Sequence, residues 1–398
     1  MTEQMNVPTL RFSEFDGLWS QNKTPIKILA GNAYKQQEYT DNGYLLIQGL
    51  HIQPDKIELE ESPKYVAVDG SKHLKIGFGD IVLGLNRPIT NNQLKACRFY
   101  LKEESVLYQR AGKLKFDTAK LGTEFLYQYL RTPVFMKQLD LELIGSDQPY
   151  IKSDLFQATK NIFPTIVEQQ KIASFLSKVD EKIGLLTEKK DKLTEYKKGV
   201  MQQLFNGKWE NHNGQLTFIP PTLRFKADDG SGFPDWEEKT LGDLSRTIKS
   251  GKSKADDNGT IDLWGSTGKI GFTNEVSHDG NFILVARVGA NAGKINEVQG
   301  QFGVSDNTLI IDVKPRQHLR FIKYSLLKFD LNRLIFGSGQ PLITGGDLKS
   351  HKMVVPNFDE QTKIANFLSA IDQKIDLANS ELEKAKEWKK GLLQQMFV

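Results

Sequence analysis

Cysteine is nearly absent. Cys97 is the only one in 398 residues, which excludes an internal disulfide and suits a reducing, cytoplasmic setting. With no histidine beside it in sequence, Cys97 reads as a buried core thiol. Long apolar runs are missing too. No stretch nears ~18 apolar residues, so no membrane span is expected. The opening MTEQMNVPTL lacks the basic start and apolar core of a secretory leader. Charge of either sign is unremarkable: the net charge of +4 permits nucleic-acid binding without requiring it.

Catalytic patterns are also missing. Gly251, Lys252 and Ser253 approach a phosphate-binding loop, but that loop needs a glycine where Arg246 stands. The six histidines show no metal-ligand spacing, so no metal site is expected. Pro234, Asp235, Glu237 and Lys239 hint at a nuclease motif but lie too close together in sequence to form one. Ile219, Pro220 and Pro221 lack the Asn or Asp of adenine methyltransferases, and no glycine motif for S-adenosylmethionine occurs. No catalytic residue is expected.

Repetition is what the chain does have. Glu168 to Phe205 returns as Glu360 to Phe397 at an offset of 192, with 20 of 38 positions identical. Both copies are helical in pattern. One apolar stripe runs through Ile172, Leu176, Val179, Ile183, Leu186, Leu193, Val200 and Leu204. The other runs through Ile364, Leu368, Ile371, Ile375, Ala378, Leu382, Ala385, Leu392 and Met396. Steps of three and four make a coiled-coil seam. A rod of this length, roughly 57 Å, needs its stripe covered throughout, and each copy offers the other an equal partner. Lys190, Lys197 and Lys389 interrupt the seams, a usual device for fixing register.

PTLRF occurs at Pro8 to Phe12 and again at Pro221 to Phe225, and GSDQP at Gly145 to Pro149 is answered by GSGQP at Gly337 to Pro341. The plan is therefore marker, globular unit and long helix, twice. The helix offset is 192 and the marker offset 213, so the first half is 21 residues longer. Each unit is strand-rich. Tyr44 to Leu50, Lys64 to Asp69 and Asp80 to Leu85 read as strands in the first, with a helix near Thr123 to Leu130. The second has the same grammar, with a helix near Arg320 to Leu327. The expected boundaries are 1–164 for a lead-in and first domain, 165–206 for a helix, 207–356 for a linker and second domain, and 357–398 for a second helix. The fold class is α+β: two similar mixed, strand-rich domains joined by two long helices, pseudo-two-fold.

Loops after matched strands carry donors suited to phosphates and base edges. In the first unit these are Asn86, Arg87, Asn91, Asn92, Gln93, Lys95 and Arg98. In the second they are Ser266, Thr267, Lys269, Arg287, Asn291 and Lys294. Arg reads guanine, Asn or Gln reads adenine, and Lys mostly neutralises phosphate.

The duplicated EQxKIAxFL helix openings, the GSxQP motifs and the PTLRF markers, in this order, resemble the specificity subunit of type I restriction–modification systems over essentially the whole chain. The resemblance implies two target-recognition domains, each reading half of a split double-stranded DNA target. It implies that the helices form an antiparallel coiled coil that spaces them and holds two modification (methyltransferase) subunits. Restriction subunits would complete the complex, which would methylate adenine and cleave unmodified DNA. S-adenosylmethionine, ATP and Mg would be bound by the partner subunits. Two other readings are a scaffold whose coiled coil joins two protein-binding domains, favoured by DNA-independent partner binding, and an enzyme with an unrecognised site, favoured by activity of the purified chain.

Overall fold

The computed structural model describes residues 6–67, 73–212, 215–335 and 341–398. It forms two compact units, and neither is a continuous piece of chain. One comprises residues 1–186 with 380–398; the other comprises 187–379. The division falls inside both long helices.

In the N-terminal unit, β1 (Ser20–Gln21), β2 (Lys27–Ala30), β3 (Ile81–Gly84), β4 (Ala96–Arg98) and β5 (Ala111–Lys115) precede α1 (Thr123–Tyr129), α2 (Pro133–Glu142) and β6 (Ile162–Phe163). The 39-residue α3 (Ile166–Leu204) follows. The sheet order is β4-β3-β5-β2, antiparallel throughout. A second sheet, built largely from Tyr44–Ile47 and Ser105–Leu107, covers its other side through Leu45, Ile47, Val82 and Cys97.

The C-terminal unit holds β7 (Glu237–Thr240), β8 (Ser245–Ser250), β9 (His278–Ala286), β10 (Ile295–Val304), β11 (Thr308–Val313), α4 (Leu319–Phe329), β12 (Lys352–Val355) and the 38-residue α5 (Phe358–Gln395). The order β10-β9-β11-β8 is again antiparallel and repeats that of the N-terminal unit. Strand pairing anchors each unit to its long helix in the same way: β1 with β6, where Ser20 faces Phe163, and β7 with β12, where Glu237 faces Val355.

Each unit takes the first part of one long helix and the last part of the other, so the two run in opposite directions. Ile172, Leu176, Val179, Ile364, Leu368, Ile371, Ala378, Leu382, Ala385, Leu392 and Met396 are buried, as are Val200 and Leu204. Ile183, Leu186, Leu193 and Ile375 are only half-buried, so the stripe of α3 is less covered at mid-helix than that of α5, where Ala378 and Leu382 are buried.

Two seam interruptions are paired. Lys389 meets Asp180 in the N-terminal unit, and Lys197 meets Asp372 at 2.5 Å in the C-terminal one. Both lysines and both aspartates are related by the offset of 192, so one contact is the repeat of the other with helix roles exchanged. Lys190 instead pairs with its neighbour Asp191 at 3.6 Å. The stretch expected as linker forms an antiparallel hairpin, Lys208–His212 with Gln215–Ile219. Its Trp209 and Phe218 rings pack edge to face, and Phe218 stacks on Trp236. Lys64 to Asp69 yields only the short strand Tyr65–Val66; Val68, Asp69 and Gly337 to Gln340 lie outside the described residues.

Candidate nucleic-acid interface

The repeated motifs hold each globular unit to its helix. The PTLRF arginine Arg11 donates from Nε and Nη2 to the two oxygens of Glu168, both at 2.7 Å. Trp19 Nε1 donates to the same carboxylate at 3.2 Å. Arg224 and Trp236 do the same to Glu360, at 2.9, 2.7 and 3.2 Å. Glu168 and Glu360 are buried, and a bidentate guanidinium meets each carboxylate there.

The next residue, glutamine, ties in the domain helix. Gln169 Oε1 accepts from Gly122 N, capping α1, while its Nε2 donates to Pro164 O. Gln361 accepts from His318 N, capping α4, and donates to Pro356 O. The EQ pair is therefore structural, as is the proline four residues before it.

The loops at the C-terminal end of the central strand are less alike. Beyond β3, Arg87 is exposed with φ 44°, and Asn91 and Asn92 have φ 48° and 59°. Those asparagines form the two-residue turn joining Ile89–Thr90 to Gln93–Leu94, a geometry Asn tolerates far better than most residues. Lys95 N donates to Pro88 O, which brings Lys95 back beside Arg87. Leu85 N donates to Arg110 O, so exposed Arg110, overlooked in the sequence, joins this end of the sheet. Arg98 does not. It sits at the opposite end of β3, donating Nε to Gly79 O at 2.8 Å and paired with Glu124. The structure thus brings Asn86, Arg87, Asn91, Asn92 and Lys95 together and separates Arg98 from them.

In the C-terminal unit, Ser266 and Thr267 occupy the turn between Ile261–Gly265 and Gly268–Thr273. Lys294 Nζ donates to Thr267 O at 3.3 Å, uniting this turn with the loop holding Asn291. Lys269 pairs with Asp262 at 2.7 Å and lies over the Phe272 ring. Arg287 Nε is buried with no hydrogen-bond partner among the described residues.

The prolines that close the GSxQP motifs, Pro149 and Pro341, dock onto these same loops. Arg87 N donates to Pro149 O at 2.7 Å, and Ile151 N to Leu85 O at 2.9 Å. In the C-terminal unit, Gly289 N donates to Pro341 O at 3.1 Å and Ile343 N to Arg287 O at 2.9 Å. These bonds make Leu85 the counterpart of Arg287, and Arg87 that of Gly289. The two arginines that look matched in sequence stand at different positions in the fold. An open cleft of about 610 Å³, lined by Arg87, Ile89, Leu143, Ser146, Asp147 and Pro149, lies between loop and motif. Among the described residues no cluster of metal-ligating side chains occurs, and no helix is long and apolar enough to cross a membrane.

The Gly251–Lys252–Ser253 segment has a structural explanation. A Cβ on Gly251 would lie 2.1 Å from Val304 O, and Ser253 Oγ accepts from Val304 N at 3.2 Å. Burial pushes the Cys97 thiol up to about 12, with the Asp55 charge adding to it; it is an inert core residue.

Fold and site define a class: a duplicated protein whose two α+β units share an antiparallel helix pair and present differing polar loops at equivalent places. A model of the type I restriction modification DNA specificity domain matches residues 27–195 and 234–387, and the chain belongs to that family. The MjaVIII type I restriction enzyme specificity subunit of Methanocaldococcus jannaschii is 32% identical over 190 residues, 47% of this chain and 44% of the relative. The EcoprrI specificity subunit of Escherichia coli is 28% identical over 158 residues, 38% of each. The chain thus spans less than half the length of these two curated relatives. The crystal structure of a type I S subunit from M. genitalium superposes with a TM-score of 0.64 at 17% identity, covering 98% of this chain and 99% of that one. A chain from a structure of type I restriction–modification complex assembly gives 0.51 at 14%, covering 95% and 98%.

Proposed function

We propose that this chain is the non-catalytic, cytoplasmic specificity subunit of a type I restriction–modification complex. Each unit reads one half of a bipartite double-stranded DNA target and directs adenine methylation or cleavage by partner subunits. The observation that carries this reading is the contrast within the repeat. The clamp, the glutamine cap and the lysine–aspartate pins recur residue for residue, whereas the loops at the end of the central strand differ. Residues identical in both units cannot distinguish two half-sites; residues that differ can.

The matched surface supports two copies of one modification subunit. Three pairs of large apolar residues repeat on it while staying exposed: Leu185 and Leu377 at 60% and 58%, Trp388 and Tyr196 at 48% and 52%, and Leu10 and Leu223 at 40% and 42%. Trp388 meets Phe175 edge to face, yet each of the six leaves two-fifths or more of its surface uncovered, so their repetition fits a shared partner. S-adenosylmethionine, ATP and Mg belong to the partners in this reading. The DNA-contacting set is Asn86, Arg87, Asn91, Asn92 and Lys95 in one unit, and Ser266, Thr267, Lys269, Arg287, Asn291 and Lys294 in the other. Mapping methylated adenines in a host carrying this chain and its cognate modification subunit tests the reading. A bipartite motif that vanishes without this chain is expected; methylation at the same sites without it overturns the proposal.

A further inference from the structure

We propose that the Gly145–Pro149 turn of the N-terminal unit is a DNA-contacting element with divided labour, in which Ser146 and Gln148 hold the sugar–phosphate backbone and Asp147 reads a base edge. The inference rests on the DNA-specificity reading above and adds a site to it.

The turn is built to be presented. Its base is closed by two bonds between Ile144 and Tyr150, N to O at 3.4 Å and back at 3.0 Å. Gly145 has φ 92°, and a Cβ there would sit 3.0 Å from Gln148 O, so only glycine suits the corner. Residues 145–148 are all exposed. The bonds from Arg87 N to Pro149 O and from Ile151 N to Leu85 O then fix the turn beside the loop that follows β3.

Its surroundings are open and rich in unpaired cations, with the exposed Asp140 on the wall of the cleft. Arg87 and Arg110 are exposed, Lys95 is half-exposed, and none of the three makes an ion pair among the described residues. At the other end of β3, Arg98 and Lys113 are held by Glu124 and Asp80. Of the two ends of β3, the one beside the turn therefore carries the unpaired cations, as phosphates require.

The sequence of the turn divides the roles. Ser and Gln recur in the GSGQP copy at the offset of 192, and exposed polar side chains are not kept identical by packing. What both half-sites share is their backbone, and hydroxyl and amide groups are ordinary phosphate and sugar partners. The middle residue differs: Asp147 in one copy, Gly339 in the other. A carboxylate only accepts hydrogen bonds and is repelled by phosphate. It is tolerated in this cationic setting when it faces a base amino group, as Glu or Asp does with cytosine N4. Facing an acceptor edge it is penalised, which is itself discrimination.

The test uses the chain assembled with its modification subunit. Methylated sites are sequenced on DNA libraries randomised in each half-site, and binding is titrated on target and scrambled duplexes at several salt concentrations. The double variant Ser146→Ala, Gln148→Ala should lose affinity by the same factor on both duplexes, several-fold, with its preferred motif unchanged. Asp147→Ala should relax one position of one half-site by roughly tenfold, leave the other half-site intact, and bind scrambled DNA no more weakly. An unaltered motif for Asp147→Ala, or a change in both half-sites, overturns the base-reading role. An altered motif for the double variant overturns the backbone role. Absence of sequence-specific methylation in the wild-type complex would refute the underlying function instead, so the two failures are told apart.

Discussion

Replacing Asp180 should destabilise the protein far more than replacing Lys389, although the two form one ion pair. Asp180 serves three donors: Gln128 Nε2 at 2.8 Å, Arg131 Nη1 at 3.2 Å and Lys389 Nζ. Burial works against its charge, but Arg131 and then Lys389 hold the carboxyl below its ordinary value. Lys389 is the reverse case. Its side chain is 7% exposed, and burial followed by Arg131 pushes its ammonium below the usual lysine range despite Asp180. Asp180→Ala leaves two cations and an amide without this acceptor. Breaking a buried pair costs ~3–5 kcal/mol, and the lower end applies because Arg131 keeps Asp55 at 2.5 Å. Lys389→Met keeps the packed stem, removes an unwelcome charge and leaves Asp180 two partners, so ~0–1 kcal/mol is expected. The double variant should therefore cost at least ~1 kcal/mol less than the sum of the singles. Urea unfolding midpoints at constant m measure all three. The reasoning fails if Lys389→Met costs as much as Asp180→Ala, or if the two effects add.

Arg11→Met should cost ~3–5 kcal/mol by stranding buried Glu168, and Glu168→Gln less, since it keeps an acceptor for Trp19; thermal unfolding with hydrogen exchange at residues 8–21 would rank them. Gly251→Ala should be destabilising, because its Cβ would lie 2.1 Å from Val304 O, while Gly184→Ala, with nothing within 4 Å, should stabilise mid-helix α3 by about 0.5–1 kcal/mol; melting temperatures moving the same way for both would contradict this. Burial lowers the pKa of His51, which is 1% exposed. The unfolded state therefore binds its proton first, and stability should be full above about pH 6.5 and fall as pH drops below it. His51→Phe should flatten that acid limb in urea titrations, and an unchanged slope would count against it.

The repeat was legible because helices, caps and clamps use side chains. Glu168, Gln169 and their copies are chosen by specific hydrogen bonds, so they survive as matching letters. The sheets were legible only as apolar runs. Gly31 and Gly251 accept equivalent positions, each within 2.5 Å of two carbonyls were a Cβ added, yet they align at an offset of 220. Leu85 and Arg287 align at 202. The fall places 18 of the extra residues of the first half between these points, where the second sheet of that unit is built. Strands need apolar faces and main-chain bonds rather than particular residues, so β2 and β8 share order and partners without sharing sequence. The hairpin at 208–219 was missed for the opposite reason: His212 to Gly214 resembles any polar linker, and Phe218 finds its partners, Trp236 among them, only in the folded core. The residues proposed to face DNA could be picked only by loop and type, since Arg98 resembles Arg87 by letter and differs from it in having Glu124 within reach.

The two units also place their arginines differently on a shared frame. Where the N-terminal unit exposes Arg87, the C-terminal one has Gly289 with φ 72°; where the C-terminal one has Arg287, the N-terminal one buries Leu85. The main-chain bonds from the proline carbonyl and to the second residue beyond it are the same in both. A residue whose backbone is fixed by such bonds can change its side chain without moving the loop. Exchange at these two positions therefore alters which groups face outward while the clamp, cap and pins hold the frame still. That separation is what a protein needs if its halves are to share partners and differ in target.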